Sequence, residues 1–363
     1  MKAIALLGRR DEPTDGVADY CKFLASAFQR HDIELDIVRV PWAERGWLGA
    51  MRWLSRESRS WTGHWVILQY TALEWSRRGF SFRVRGILRL LHKRGVRCAV
   101  VFHDAYPFEG TRLRDRVRRR IQNWTMRELY LQSERSAFTV PLQSVPWLPP
   151  DQRRAAFIPI GANVPSYCQS RTYSTRQTPK IIAVFSVTEA GAGAREVQEI
   201  AMAVRGAHDR LGPVRLEIFG RGCEESRALL EKGLNRSGIE IRVRGVIPAD
   251  EITKTLATAH VLLFVRGLMN SHRGTAIAGI ACGLPVVGFG EVGVDPAIES
   301  AGIRLARLHD TEALANALVE VLADEKVWRE LHERSLRAQA EYFSWDAVAK
   351  RFVSLLKERE GRR

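Results

Sequence analysis

The residues best suited to chemistry in this 363-residue chain lie between two apolar runs, Val261–Val265 and Pro285–Gly288. Between them stands Arg266-Gly-Leu-Met-Asn270-Ser-His-Arg273-Gly274-Thr275, then Ala-Ile-Ala278-Gly-Ile-Ala-Cys-Gly283. The pattern predicts strand, polar loop, helix, tight turn and strand, with Arg273, Gly274 and Thr275 opening the helix. The first amides of a helix lack partners within it and carry the positive end of its dipole. They therefore attract phosphate, and a guanidinium beside them adds a forked, charged donor. An ordinary helix start with a surface arginine uses the same residue types, so the loop alone leaves both readings open.

Two further places invite chemistry. Asp15-Gly16-Val17 follows a first strand and opens a helix, which suits either a phosphate contact or a plain strand-to-helix turn. His103-Asp104 ends the strand Ala99–Phe102, where catalytic groups gather in parallel sheets; Asp104 could orient the imidazole or cap the next segment. No Asp-x-Asp stands at a strand-to-loop junction, and Glu34-Leu-Asp36 enters a strand facing solvent. The expectation is an enzyme without an obligate metal.

The elements that must position these groups follow from periodicity. Strands are predicted at Lys2–Gly8, Leu35–Val40, Trp65–Gln69, Cys98–Phe102 and Ala137–Val140, with a helix at Val17–Arg30. After a Pro/Ser/Thr-rich passage, Pro165–Pro179, a second series runs through Ile181–Phe185, a helix near Arg195–Ala207, Leu216–Phe219 and Ile241–Val243. The strands Val261–Val265 and Pro285–Gly288 follow, and helices at Glu312–Ala323, Lys326–Ala340 and Trp345–Glu358 close the chain. Strands alternating with helices imply an α/β fold of two doubly wound, Rossmann-like domains. The expected division is 1–165, 166–343, and a final helix, 344–363, returning to the first domain. Ligands of such sheets bind at the carboxyl ends of the strands, which predicts a cleft between the halves.

Composition narrows the class. Hydrophobic residues at 45% and charged ones at 27% suit a globular protein. The five cysteines, Cys21, Cys98, Cys168, Cys223 and Cys282, form no CxxC pair, which argues against a disulfide framework and fits a reducing cytoplasm. The apolar start is too short for a signal peptide, and nothing approaches 18 uninterrupted apolar residues. The net charge of +15 is uneven: residues 1–165 carry +12, and eight of the ten tryptophans. Trp42–Arg56 mixes tryptophans and arginines at helical spacing, and Arg112–Arg120 holds six arginines in nine residues. A surface for anionic lipid and a core-facing tryptophan set beneath a solvated arginine face explain this equally. No nucleic-acid-binding motif is present, so nucleic acid is not expected as a partner.

The order of motifs resembles glycosyltransferase family 4, of the GT-B fold. Val261–Val265 with Ala-Cys-Gly283-Leu-Pro285-Val-Val resembles its donor-binding motif. Leu216-Glu-Ile-Phe-Gly220-Arg-Gly222 resembles its strand ending in Gly-x-Gly, and Arg244-Gly245-Val246-Ile247-Pro248 its nucleobase loop. Ile158–Pro165 and Tyr342–Trp345 resemble the end of the first domain and the turn before the last helix. The paired glutamates found in many members are replaced here by Asn270 and Ala278, and His272-Arg273-Gly274-Thr275 resembles an Arg-Gly-Ser/Thr variant.

The resemblance implies a transferase using a nucleoside-diphosphate sugar, UDP- or GDP-linked, as co-substrate and no other cofactor. It implies retention of anomeric configuration and a saccharide or lipid-linked acceptor in polysaccharide or glycolipid assembly. Arg273 and Arg195 would stabilise the leaving diphosphate, and His103 would sit near the transferred sugar. Gly16, Val17, Asp104, Gly220, Val246, Ile247, Asn270, Gly274 and Thr275 would line the donor. The implied location is cytoplasmic, peripheral to the membrane. The missing glutamates keep a non-catalytic sugar-nucleotide-binding scaffold as the alternative. A sugar-nucleotide epimerase would need a carboxylate pair that the sequence does not display.

Overall fold

The computed structural model describes residues 1–11, 15–165, 172–188, 191–235, 238–293 and 295–357. Cys168 and the middle of the Pro165–Pro179 passage lie outside them. The contacts divide the chain into two units, Met1–Ile160 with Trp345 onward, and Gly161–Ser344.

The first unit runs β1 (Lys2–Leu7), α1 (Gly16–Gln29), β2 (Glu34–Arg39), α2 (Trp42–Glu57), β3 (Trp65–Tyr70), α3 (Arg85–His92), β4 (Arg97–Phe102), α4 (Leu113–Gln132), β5 (Arg135–Phe138) and β6 (Ala155–Phe157). All its strands pair in parallel, in the order β2-β1-β3-β4-β5-β6. Parallel strands covered on both faces read as continuous apolar runs rather than alternating ones, and β3, Trp-Val-Ile-Leu-Gln-Tyr, is buried at all six positions.

The second unit runs β7 (Lys180–Phe185), α5 (Gly191–Leu211), β8 (Val214–Phe219), α6 (Arg227–Gly233), β9 (Ile239–Val243), α7 (Ala249–Thr258), β10 (Val261–Leu268), α8 (Gly274–Ala281), β11 (Val286–Phe289), α9 (Pro296–Ser300), β12 (Ile303–Ala306), α10 (Thr311–Ala323) and α11 (Glu325–Ala338). Its sheet is parallel throughout, ordered β12-β11-β10-β7-β8-β9. Two doubly wound α/β units are what the alternating pattern predicts. The spacing did not predict β6 and β12, which are three and four residues long. Nor did it predict that the arginine run 112–120 enters a 20-residue helix, α4.

The last helix, α12 (Trp345–Lys357), belongs to the first unit. Its apolar face, Val348, Ala349, Phe352, Leu355 and Leu356, joins the core formed by Tyr20, Cys21, Leu24 and Phe28 of α1. Phe352 meets Phe28 edge-on at 6.0 Å, Trp345 stacks on Phe23 at 5.4 Å, and Arg135 Nε donates to Leu355 O at 3.0 Å. The polar edge is tied by Asp346, which pairs with His31 at 3.2 Å and Lys350 at 2.8 Å. Because Phe352 is fully buried, Phe352→Ala is expected to destabilise the first unit by about 3–5 kcal/mol. Denaturant unfolding checks this, and a loss below about 1 kcal/mol would show that α12 contributes little to that core.

Candidate active site

In the second unit the chain moves outward from β7 to β8 and β9, then returns to the other side of β7 as β10. The reversal leaves a crevice at the carboxyl ends of β7 and β10, the place where open α/β sheets bind ligands. The polar loop predicted from the sequence emerges there. β10 bulges between Phe264 and Leu268, and Met269 N then donates to Phe289 O at 2.7 Å. Asn270 folds the turn, accepting from His272 N on its side chain (3.3 Å) and from Arg273 N on its carbonyl (3.1 Å). Ser271 N donates to Asp295 Oδ2 at 2.7 Å, while Asp295 Oδ1 accepts from Ala297 and Ile298 at the start of α9. Asp295 is buried, which pushes its carboxyl above the usual range despite these bonds.

Arg273 is the residue from which α8 starts, and no side chain caps that helix. Its Nε donates to Leu268 O at 3.3 Å, and burial followed by the charge of Arg266 holds its pKa below the usual value. Arg266, at the end of β10, keeps a buried Nε without a hydrogen-bond partner. Glu196 supplies the opposing charge. Its carboxylate also accepts from Thr188 N at 2.7 Å and Thr188 Oγ1 at 2.6 Å, which holds the end of β7 against α5. Only glycine fits at 193, where a Cβ would lie 2.1 Å from Thr188 O.

The remaining expected donor contacts fall into two places. Gly220 follows β8 with φ +99°; its amide donates to Gly245 O at 2.6 Å, and a Cβ there would lie 2.4 Å from Ser186 Oγ. That bond joins the β8 end to the 244–248 loop, where Val246 is 70% exposed and Ile247 half-buried. Gly220, Val246 and Ile247 are thus together at the end of β8, next to Ser186 at the end of β7. Arg195 turns to His309, whose ring lies 6.1 Å from that of Phe289, the residue that anchors Met269 ahead of the Arg273 loop. Arg195 is exposed, with Nη1 3.5 Å from His309 Nε2, and His309 Nδ1 is 2.6 Å from Glu199. Arginine only donates, so His309 accepts at Nε2 and donates from Nδ1.

In the first unit the reversal lies between β1 and β3. Asp15 caps α1 through Ala18 N at 2.9 Å and pairs with Arg39 at 2.8 Å, and Arg39 Nη1 donates to Gly8 O at 2.9 Å. Gly16 is exposed with open space where a Cβ would stand, and Val17 packs partly against the core. His103 follows β4 with its ring edge-on to Tyr20 at 4.8 Å. Its hydrogen-bond partner is Gln69, at 2.8 Å from Nε2, whereas exposed Asp104 accepts from the Ala72 amide. Gln69 Nε2 donates to Ile67 O, so its Oε1 takes the Nε2 proton of His103 and Nδ1 keeps a lone pair. Desolvation lowers this histidine's pKa to about 4, so the ring is uncharged at neutral pH.

Sequence reasoning missed Gln69, Arg266 and, above all, Glu74. Glu74 is 6% exposed, accepts from Gly8 N at 2.8 Å through Oε1, and leaves Oε2 buried without a partner. Its own carbonyl receives Arg9 N at 2.8 Å and Trp42 Nε1 at 3.0 Å. Glu74 therefore pins the loop after β1 from the end of β3.

Among the described residues, one group has metal-ligand character: His92, Cys98 and Glu134, with ligand atoms within 4.8 Å of one another. It lies at the amino end of β4, the end away from His103. Glu134 there accepts from Cys98 N at 2.7 Å and sits 3.5 Å from His92, an arrangement that fixes a strand start.

Comparison with known proteins agrees with this architecture. A glycosyltransferase from Rickettsia africae superposes with a TM-score of 0.66 at 11% identity, covering 99% of both chains. Sucrose-phosphate synthase from Thermosynechococcus elongatus gives 0.65 at 14% identity and 98% of both chains. Anabaena HepE, solved in complex with UDP and glucose, gives 0.64 at 12% identity, covering 98% of this chain and 99% of its own. The fold is that of the GT-B glycosyltransferases, with two Rossmann-like units on parallel six-stranded sheets. Residues 179–324, within the second unit, match the family model described as glycosyl transferases group 1. No curated protein matches the chain in sequence.

Burial moves the Glu74 pKa from 4.5 to about 8. Between those values the folded state holds a proton that the unfolded chain releases, so stability falls as pH rises through this window. Glu74→Gln removes the charge and keeps an acceptor for Gly8 N. The variant is expected to lose less stability than the wild type between pH 5 and 8.5 (about the two ends of that window), and to melt higher at the alkaline end. Parallel melting curves across that range would show that Glu74 does not titrate with folding.

Proposed function

We propose that the chain is a glycosyltransferase that moves a sugar from a nucleoside-diphosphate sugar, with UDP as the favoured nucleotide, to a saccharide or lipid-linked acceptor. The observation that carries this reading is the pairing of Arg266 and Arg273 beside the start of α8. Helices α1, α9, α10 and α11 begin with aspartates whose side chains cap them, Asp15, Asp295, Asp310 and Asp324. α4 and α8 instead begin with arginines and have no side-chain cap, and of the two α8 is the one that follows a strand bordering the reversal of its sheet. A diphosphate supplies the missing negative charge.

On this reading the diphosphate rests on Gly274 and Thr275, gripped by Arg273 and Arg266, with Asn270 shaping the turn and Arg195 a further cation on α5. Gly220, Val246 and Ile247 border the nucleobase. As the bond from sugar to diphosphate breaks, negative charge grows on the leaving group, and fixed guanidinium and amide dipoles stabilise it without reorganising. His103, uncharged, offers its Nδ1 lone pair to the sugar, and Gly16, Val17 and Asp104 are the first unit's contribution around the donor. The acceptor hydroxyl attacks on the face the diphosphate leaves, so anomeric configuration is retained and the departing oxygen takes the proton. No metal is assigned a role, and the basic first unit docks on an anionic membrane face in the cytoplasm. UDP is favoured because HepE was solved with UDP. The motif order supports family 4 as the subgroup.

One observation favours a second reading. Asn270 and the buried Ala278 stand where many family-4 sequences carry glutamates, which would suit a sugar-nucleotide-binding scaffold. Slow hydrolysis of UDP-sugars separates the two, since binding without turnover of any donor, even with acceptor extracts, sinks the transfer reading.

Arg273→Ala is expected to weaken UDP binding by about 1.5–3 kcal/mol, the range for hydrogen bonds to charged groups; unchanged affinity by calorimetry would remove Arg273 from the site. His103→Ala is expected to abolish most transfer while leaving UDP affinity and the melting temperature near wild type. Wild-type turnover in that variant would exclude His103 from the reaction.

A further inference from the structure

One residue of β3 interrupts its apolar run. Trp65-Val-Ile-Leu-Gln69-Tyr70 places an amide in a strand that is buried at every position, and Gln69 itself is 0% exposed. A buried amide costs free energy unless its donor and its acceptor both find partners. Gln69 finds them in two directions. Its Nε2 donates to Ile67 O at 3.2 Å, back along the same strand, and its Oε1 faces His103 Nε2 at 2.8 Å. Its main-chain carbonyl accepts from Trp75 Nε1 at 2.7 Å, which pins the residue further.

These bonds fix the direction of the amide. Turned over, it would set Oε1 against the Ile67 carbonyl and lose that bond, so Ile67 O decides which atom meets the histidine. The ring has little freedom either. His103 N donates to Tyr70 O at 3.0 Å, Thr139 Oγ1 donates to His103 O at 3.3 Å, and Tyr20 stands edge-on to the imidazole at 4.8 Å. Nε2 therefore carries the proton, and Nδ1 can accept a hydrogen bond but cannot donate one. Desolvation disfavours the doubly protonated ring that would donate from both nitrogens. The titratable groups around it are the buried phenol of Tyr20 on α1 and Asp104 on the same loop, with Glu74 within electrostatic reach of Asp104.

A ring that only accepts selects its partner. A hydroxyl group of a bound sugar offers it a proton, whereas a carboxylate sets lone pairs against a lone pair. In hexoses that difference arises at the exocyclic carbon, which is a hydroxymethyl group in glucose and a carboxylate in glucuronate. We propose that Gln69 is a specificity-determining residue: by holding the Nε2 proton of His103 it makes the ring take a neutral donor sugar, which offers a hydroxyl to Nδ1, and refuse a uronic acid. The proposal rests on the transfer reading, which puts His103 at the sugar, and it names the class of sugar that is moved. Gln69 is itself buried and acts through the ring.

The test compares UDP-glucose with UDP-glucuronate on the whole protein, by calorimetry and by turnover, in the wild type, Gln69→Glu and Gln69→Leu. Nitrogen NMR spectra of the histidine rings, with His103 identified by its absence from His103→Gln, read the tautomer independently of any sugar. The wild-type ring is expected to show a protonated Nε2 and a bare Nδ1 at neutral pH, and UDP-glucose to bind at least about tenfold more tightly than UDP-glucuronate. In Gln69→Glu a carboxylate stands behind the ring and holds it doubly protonated. Nδ1 then donates, and the preference for UDP-glucose is expected to fall at least about tenfold, with affinity for UDP itself unchanged. Gln69→Leu removes the acceptor without adding charge and serves if the glutamate variant does not fold; both tautomers are expected there, with a smaller preference. A protonated Nδ1 in the neutral wild-type ring, or a preference that survives in the folded variants, would overturn the assignment. Turnover of both sugars without preference would overturn it and leave the transfer reading intact. A preference in affinity without turnover of either sugar, even with acceptor extracts, would strike the transfer reading and leave the role of Gln69 standing. Failure to bind either sugar would overturn both.

Discussion

Arg266 and Arg273, two cations within electrostatic reach of one another where β10 ends and α8 starts, set the constraint on the crevice of the second unit. Like charges in a partly desolvated place repel, and the lowered pKa of Arg273 records that repulsion as well as its burial. The surrounding structure compensates. Glu196 opposes the two charges while holding Thr188. Asp295, buried and itself destabilised as an anion, ties Ser271 to the start of α9, so the loop cannot relax by swinging outward. The bulge in β10 and the Gly193 contact serve the same geometry. Strain of this kind persists where neighbouring elements over-determine a loop, and such loops are where ligands bind.

The first unit solves the opposite problem. Its strand ends hold acids: Asp15 at the start of α1, Glu74 after β3 and Asp104 after β4. Asp15 is neutralised by Arg39 and by the helix end it caps. Glu74 is neutralised by keeping its proton, which leaves a hydrogen-bonded but uncharged anchor under Gly8. His103 is likewise uncharged, through desolvation, and oriented by Gln69. These strand ends therefore present a pre-set imidazole lone pair on a largely neutral floor.

The strands and most helices were legible because a parallel sheet buried on both faces must be written as apolar runs, as in Trp65–Tyr70 and Val261–Val265. β6 and β12 were not, because runs of three or four residues are too short to carry a period. In α4 the arginines of its first half mask the helical stripe, whose buried positions include polar Asp115, Gln122 and Thr125. The Arg273 loop could be read locally because its strand, turn and helix are contiguous. Gln69, Glu74 and Arg266 could not. Each gains its role from a neighbour fixed by strand order: β3 beside β1 and β4, or β10 beside β7. The exchange of Asp104 for Gln69 as the partner of His103 has the same origin, since adjacent strands, not adjacent residues, meet at that ring.

Bulk charge and site charge diverge in both units, and this decides what each can bind. The half with +12 carries arginines on α4 and on the segment after β3, while its strand ends hold Asp15, Glu74 and Asp104, of which Asp15 is paired and Glu74 keeps its proton. The half with +3 gathers Arg266 and Arg273 at one crevice, with Glu196 as the opposing charge. Diffuse positive charge on an apolar surface draws extended anionic ligands, and it weakens with salt because exposed charges are screened. Paired, partly buried arginines at a helix start bind a compact anion and are screened much less. A diphosphate bound at α8, as proposed, should therefore keep its affinity as ionic strength rises better than any anion held by the exposed arginines of α4.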